Sequence, residues 1–301
     1  MSTTAYSFRD SNIRKTWAIF TLFLIIVIGV GWIISLAYND ASILYFAVIF
    51  SLVMNLIAYW KSDSIALSLS RAHEADKNTN RDLFNVVENL SITTGIPTPK
   101  IYIIEDSSAN AFATGRNPKH ASIAVTTGLL QRLNKTELEG VIAHEMSHVK
   151  NYDILVSTVV VVLVGFITIL TDFFMRSLWW RGRDSRENNG SIFMIIGIAT
   201  AILAPILATI IQMAISRKRE FLADASGALI TRYPEGLASA LEKISSDRPM
   251  AHPQNATAHM FFSSPFKADA GGQQKTPWFV KLFMTHPPIE ERIKALRQMS
   301  Q

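Results

Sequence analysis

Apolar and polar positions divide this chain into two kinds of segment. Four stretches carry no charge, and the polar segments between them show helical or alternating periodicity. Trp17–Tyr38 holds 22 uncharged residues and Ser42–Trp60 another 19. At about 1.5 Å per residue, either can cross a hydrocarbon core of about 30 Å. Only Asn39, Asp40 and Ala41 separate them, which predicts a tight hairpin. The first stretch is too long for a cleaved signal, and no small-residue cleavage site precedes the second, so it reads as a retained anchor. The third stretch, Ile154–Thr171, has 18 residues, and the fourth, Ser191–Ile215, has 25 with Pro205 as a kink point. They read as a second membrane hairpin. A pair of buried core helices is the alternative, because the third is near the lower length limit. Phe173, Phe174, Trp179 and Trp180 follow it, like aromatics at a membrane surface.

The polar segments have their own periods. Thr79–Gly95 reads as a helix with Leu83, Val86, Val87 and Leu90 on one face and Gly95-Ile96-Pro97 as its stop. Ile101–Ile104 and Ser122–Thr126 read as short strands. Between them lie Asn110-Ala111-Phe112-Ala113 and the Asn117-Pro118 turn. Asn134–Lys150 reads as a helix, with Leu138, Val141, Ile142 and Val149 at helical spacing and Thr136 with Glu139 as a capping box. Residues 216–224 are expected to continue the fourth stretch as a helix into water. Pro249–Pro277 has little periodicity and reads as a mobile loop. Pro288–Met299 reads as a last helix with Ile289, Ile293 and Leu296 as its apolar stripe.

Composition agrees with a membrane protein. Of 301 residues, 49% are hydrophobic, and the mean hydropathy is +0.22. The absence of cysteine excludes disulfides, thiolate metal sites and cysteine nucleophiles, so any metal must use His, Asp or Glu. A formal charge of +5 in such a chain serves topology, and no nucleic-acid motif, internal repeat or phosphate-cradling loop is present. Arg9, Arg14, Lys15, Lys61, Arg71, Lys150, Arg217, Lys218 and Arg219 all fall on one side of the four spans, which places that side in the cytoplasm. Arg176, Arg181, Arg183 and Arg186 disagree, since this topology puts them outside. Either the first hairpin dominates or the second does not fully cross.

The candidate chemistry lies in His144-Glu145-Met146-Ser147-His148. Residues at i and i+4 lie on one helix face, so the two imidazoles can hold one zinc ion, with the glutamate in reach of a water on that metal. The competing reading is a surface helix with chance histidines. A catalytic zinc needs a third protein ligand. Five other histidines are present: His73, His120, His252, His259 and His286. Glu220 is the better candidate, because Asp224 stands one turn later and can orient a ligating imidazole. A solvated Glu-Asp pair is the competing reading. His148 lies six residues before the third stretch and Glu220 five residues after the fourth. An antiparallel helical pair would bring both to one height, roughly 7–9 Å from the hydrocarbon edge.

Four ordered motifs carry a resemblance: Asn110–Ala113, His144–His148, Ser216–Asp224 and Thr285–Ile293. Together they resemble the HtpX-type membrane zinc metalloproteases, relatives of the CAAX prenyl endopeptidases, over nearly the whole chain. The resemblance implies a zincin-like metalloprotease domain fused to four transmembrane helices, mainly α with a small β element. The expected division is an N-terminal transmembrane hairpin (1–60), a cytoplasmic zincin subdomain (61–153), a second hairpin (154–215) and a C-terminal part with the third ligand (216–301). It implies a bacterial inner-membrane, multi-pass endopeptidase facing the cytoplasm, with one Zn2+ per chain and a stress-linked role in quality control of membrane proteins. His144, His148 and Glu220 are the implied zinc ligands and Glu145 the implied catalytic base. His286 would donate to a developing oxyanion or else cap the last helix. Arg292 would pair with a carboxylate, Asp224 or Glu290. Asn110, Ala111 and Phe112 would offer an edge on which a substrate adds as a strand, or form a surface turn. The implied partners are membrane-protein substrates and the lipid bilayer, without nucleic acid. No motif sets the oligomeric state. Rival readings are a non-enzymatic scaffold, against which Glu145 is intact, and a zinc transporter, against which no span holds an ionisable residue. A CAAX-type prenyl protease is the nearest enzymatic alternative, although four spans are few for a large enclosed chamber.

Overall fold

A computed structural model describes residues 5–166, 217–247, 250, 257, 260–262 and 287–299. The fourth apolar stretch, the Arg-rich segment, His286 and most of 249–277 lie outside the described residues.

The first two stretches are helices α1 (Ala5–Tyr38) and α2 (Ser42–Trp60), packed against each other as a hairpin. Asn39 turns the chain with φ 50°, and the Asp40 carboxylate accepts from the Ser42 N–H. A side chain on Gly31 would collide with Ala47, so small residues set the close approach of the two helices. Trp32, Tyr45, Phe46, Ile49 and Leu56 are exposed, a surface suited to lipid. By length and composition two described helices can cross a membrane, Arg9–Ile33 within α1 and Ser42–Trp60.

Beyond them α3 (Ser62–Leu69) leads into a four-stranded mixed sheet. Its strands are β1 (His73–Glu74), β2 (Lys100–Ile104), β3 (Ala111–Gly115) and β4 (Ala121–Thr126), in the order β1-β2-β4-β3. β2 and β4 run parallel with Ile101 opposite Ile123, and β3 pairs antiparallel to β4 as an edge. Ala111–Ala113 are therefore strand rather than turn, with Asn110 just before it. α4 (Arg81–Thr94) ends where Gly95 takes a left-handed φ of 70°. Thr126 caps α5 (Thr127–Arg132), its hydroxyl accepting from the Leu129 N–H.

α6 (Lys135–Lys150) carries the His-Glu-x-x-His fragment. Its capping box uses Asn134 and Glu137, two residues before the expected Thr136 and Glu139. Asn caps at least as well as Thr, and Glu137 is also held by Lys243 and Ser239 at 2.7 Å each, so the tertiary bonds favour the earlier pair. The third stretch begins as a helix, α7 (Asp153–Phe166), bent 83° from α6. It packs Leu155, Val156, Val159, Val160 and Leu163 against Ile19, Phe20 and Phe23 of α1. α6 and α7 could count together as one broken span.

α8 (Arg217–Thr231), α9 (Pro234–Ser245) and α10 (Ile289–Gln298) complete the described chain. One apolar core joins Leu83, Val86 and Val87 of α4, Ile123 of β4, Val141 and Ile142 of α6, Leu237 and Leu241 of α9 and Leu296 of α10. The described fold is thus mostly helical with a small mixed sheet, and α6 runs through its centre.

Candidate metal centre

α6 is buried on nearly every side, so the face bearing His144 and His148 looks into the protein rather than into bulk water. α8 lies against that face. Its closeness depends on Gly227, where a Cβ would stand 3.0 Å from the His144 backbone nitrogen. This packing brings Glu220, in the first turn of α8, to the imidazoles.

The two Nε2 atoms are 3.2 Å apart. Glu220 Oε1 lies 3.6 Å from His148 Nε2, and Oε2 lies 3.9 Å from His144 Nε2. Donors that grip zinc tetrahedrally at about 2.0–2.1 Å stand about 3.3 Å from one another. The three side chains form a group that could hold a metal ion. Two ring nitrogens this close repel unless a cation or a shared proton lies between them, so the residues fit such an ion.

Each imidazole has a carboxylate behind it. His144 Nδ1 lies 2.9 Å from Asp224 Oδ1, although the ring N–H does not point squarely at that oxygen. Asp224 in turn accepts two bonds from Arg292, at 2.8 Å from Nε and 2.7 Å from Nη2. Arg292 is 0% exposed, and its guanidinium lies over the Phe262 ring, 4.9 Å from the centroid. Phe262 also stands edge-on to His144, with ring centroids 4.9 Å apart. His148 Nδ1 lies 3.0 Å from Asp153 Oδ2. Asp153 Oδ1 accepts from Arg219 at 3.0 Å and from Asn12 at 2.8 Å. Carboxylates behind both Nδ1 atoms favour the tautomer that turns each Nε2 lone pair toward the metal position.

The charges divide unequally. Burial pushes the His144 pKa down to about 4, against the pull of Asp224. Burial also opposes charge on His148. There the hydrogen bond to Asp153 and the charges of Glu220, Asp153 and Glu145 prevail and hold the pKa up to about 9. Burial would raise the Asp224 carboxyl, but the charge and hydrogen bonds of Arg292 hold it down to about 2. A proton on His148 and a divalent cation answer the same electrostatic demand. Glu145 is buried within electrostatic reach of both His148 and Arg292.

The structure thus brings together His144, His148, Glu220, Glu145, Asp224 and Arg292. Of the two carboxylates considered for Arg292, its partner is Asp224. Ala111 and Phe112 lie nearby on the edge strand with Asn110 just before it, and all three are buried. The Asn110 C=O accepts from the Thr126 N–H at 3.0 Å, and the outer edge is partly engaged. The Phe262 N–H donates to the Ala111 C=O at 2.8 Å, and the Gly115 N–H donates to Thr158 Oγ1 at 3.3 Å. Sequence reasoning missed Asp153, Arg219, Asn12 and Phe262. For Asp153 a signal existed, a carboxylate five residues after His148 where the helix must end at the turn 151–152. For the others no local signal existed.

A helical domain in which two imidazoles of a His-Glu-x-x-His helix meet a carboxylate from a second helix, joined to apolar helices long enough to cross a membrane, has the features of a membrane metallopeptidase. The model of Peptidase family M48 matches residues 77–300, and the chain belongs to that family. The chain is similar to the protease HtpX homolog of Caldanaerobacter subterraneus subsp. tengcongensis, 48% identical over 99% of this chain and 98% of that one. The homolog of Thermoanaerobacter pseudethanolicus is 47% identical over the same shares. That of Streptococcus pneumoniae is 41% identical over 96% of this chain and 98% of the other. The crystal structure of S. mikatae Ste24p is similar at 19% identity and a TM-score of 0.49, over 94% of this chain and 66% of that one, too loose a likeness to bear on the site. The chain is an HtpX-type metalloprotease.

Proposed function

We propose that the chain is a zinc-dependent endopeptidase of the bacterial inner membrane that cuts cytoplasmic regions of misfolded membrane proteins. In this reading residues 61–153 and 216–301 form the protease domain, and the hairpins 1–60 and 154–215 supply four spans. His144, His148 and Glu220 hold one zinc. The observation that carries the reading is the convergence of two Nε2 atoms and one carboxylate within 4.8 Å, from helices far apart in sequence.

Bound zinc supplies Lewis acidity that makes water nucleophilic at neutral pH. Glu145 takes the proton of the attacking water and passes it to the leaving amine. Asp224, held by Arg292, and Asp153 keep the two imidazoles in ligating orientation. Asn110, Ala111 and Phe112 present the strand edge beside which the substrate backbone lies. His286, outside the described residues, donates to the developing oxyanion. The site's tie to the start of α1 supports substrates presented at the membrane surface. Glu145→Gln is expected to abolish cleavage of a membrane-protein substrate while zinc stays bound, read by gel assay and metal analysis. Cleavage at the unmodified rate would overturn the mechanism.

A further inference from the structure

We infer that the amino-terminal end of the first membrane helix is a working part of the metal centre, with Asn12 as a positioning residue that holds Asp153, and through it His148, in ligating orientation. This rests on the reading of His148 as a metal ligand.

Asn12 lies five residues before the uncharged stretch of α1 and is 1% exposed. Its amide sits between an anion and a cation. Nδ2 donates to Asp153 Oδ1 and to the Asn151 C=O, each at 2.8 Å. Oδ1 accepts from Arg219 Nη1 at 3.2 Å, and the same guanidinium nitrogen donates to Asp153 Oδ1 at 3.0 Å. Asp153 therefore has one oxygen fixed by two donors from different helices, which leaves Oδ2 facing His148 Nδ1 at 3.0 Å.

A primary amide meets all of these demands at once, donating two bonds and accepting one, whereas a hydroxyl or a neutral imidazole has a single proton to donate. A carboxylate could accept from Arg219 but could not donate to Asp153. An apolar residue of the same size would pack at the helix face and do neither. A buried amide costs free energy unless fully paired, so packing alone favours leucine there. The turn that presents Asp153 also depends on this contact. Tyr152 holds a left-handed φ of 61°, costly for a bulky residue, and the Asn12 bond to the Asn151 C=O pins the peptide just before it. α1 thereby reaches across 141 positions of sequence to fix the outer partner of one imidazole.

The test uses full-length, detergent-purified protein carrying Glu145→Gln, so that no self-cleavage intervenes. Zinc affinity is measured by competition with a chromophoric chelator, and coordination by the visible spectrum of the cobalt(II)-loaded protein. Asn12→Leu and Asn12→Asp are each expected to weaken zinc binding about tenfold or more and to change the cobalt spectrum. Thr16→Val is the control. Thr16 is buried one turn further along α1 and, among the described residues, its hydroxyl bonds only within its own helix, to the Asn12 C=O at 3.0 Å, so zinc affinity should not move. Affinity within about twofold of the parent in either folded Asn12 variant overturns the proposal. Failure of both Asn12 variants to fold, with Thr16→Val intact, also overturns it by making Asn12 a fold determinant. If the parent binds zinc and loses it on His148→Ala while the Asn12 variants bind normally, only this inference fails. A parent that binds no zinc removes the ligand reading as well.

Discussion

His144 and His148 stand one turn apart on the same helix, yet different sets of partners hold them. Behind His144 are Asp224, Arg292 and Phe262, all within the apolar core built by α6, α8 and α10. Behind His148 are Asp153, Arg219 and Asn12, where α6 meets the membrane hairpin. The inner set is fully enclosed, and its imidazole is pushed down to about 4. The other imidazole stands among the carboxylates of Asp153, Glu220 and Glu145, and its pKa is raised to about 9. One imidazole is thus positioned by the fold's interior and the other by the contact of α1 with the end of α6. Damage on the inner side should register first as lost stability, and damage on the outer side as lost metal affinity.

The largest expected effect is at Arg292. Arg292→Leu leaves Asp224 buried without its counter-charge, which should cost about 3–5 kcal/mol of stability. Thermal unfolding of the inactive Glu145→Gln protein would read this as a strong fall in midpoint. A midpoint close to the parent would break the distinction between the two sides. Next is Asp153→Asn, which removes the charge behind His148 and should lower zinc affinity about 10–100-fold by chelator competition. Its midpoint without metal should fall less than that of Arg292→Leu. An equal fall in both would show that the outer set is as much a part of the core as the inner one.

The smallest effect sharpens the comparison from a third place, the start of α6. Burial would raise the Glu137 pKa, but bonds from Lys243, Ser239 and the Asn134 N–H hold it below its ordinary 4.5. A carboxyl depressed in the folded state adds stability that is complete above 4.5 and is lost as pH falls through the folded value. Glu137→Gln should therefore cost about 1 kcal/mol at neutral pH. Its midpoint should converge on that of the parent as the solution is acidified below 4.5. A constant difference down to strong acid would show that shape, not charge, holds the cap.

Much of this arrangement was legible along the chain. The first two apolar stretches become α1 and α2, and the periodic positions Leu138, Val141, Ile142 and Val149 are buried on α6. Glu220 and Asp224 share a face because they are one turn apart, and both meet the imidazoles. The cap of α6 lies two residues earlier than its local pattern suggests, since Asn134 and Thr136 are similar N-caps and Lys243 and Ser239 decide between them.

What the sequence determined by itself is what neighbours within a turn can encode: the helix that presents two imidazoles on one face, the apolar lengths, and the spacing of a ligand carboxylate from its companion. The tertiary structure alone decided which distant groups stand behind those imidazoles. Asn12, Arg219 and Phe262 reach the site from separate elements, and no periodic pattern marks any of them. Such convergence depends on how helices pack, on a left-handed turn at Tyr152 and on a missing side chain at Gly227. Periodicity records which face of an element is buried. It does not record which element will cover that face.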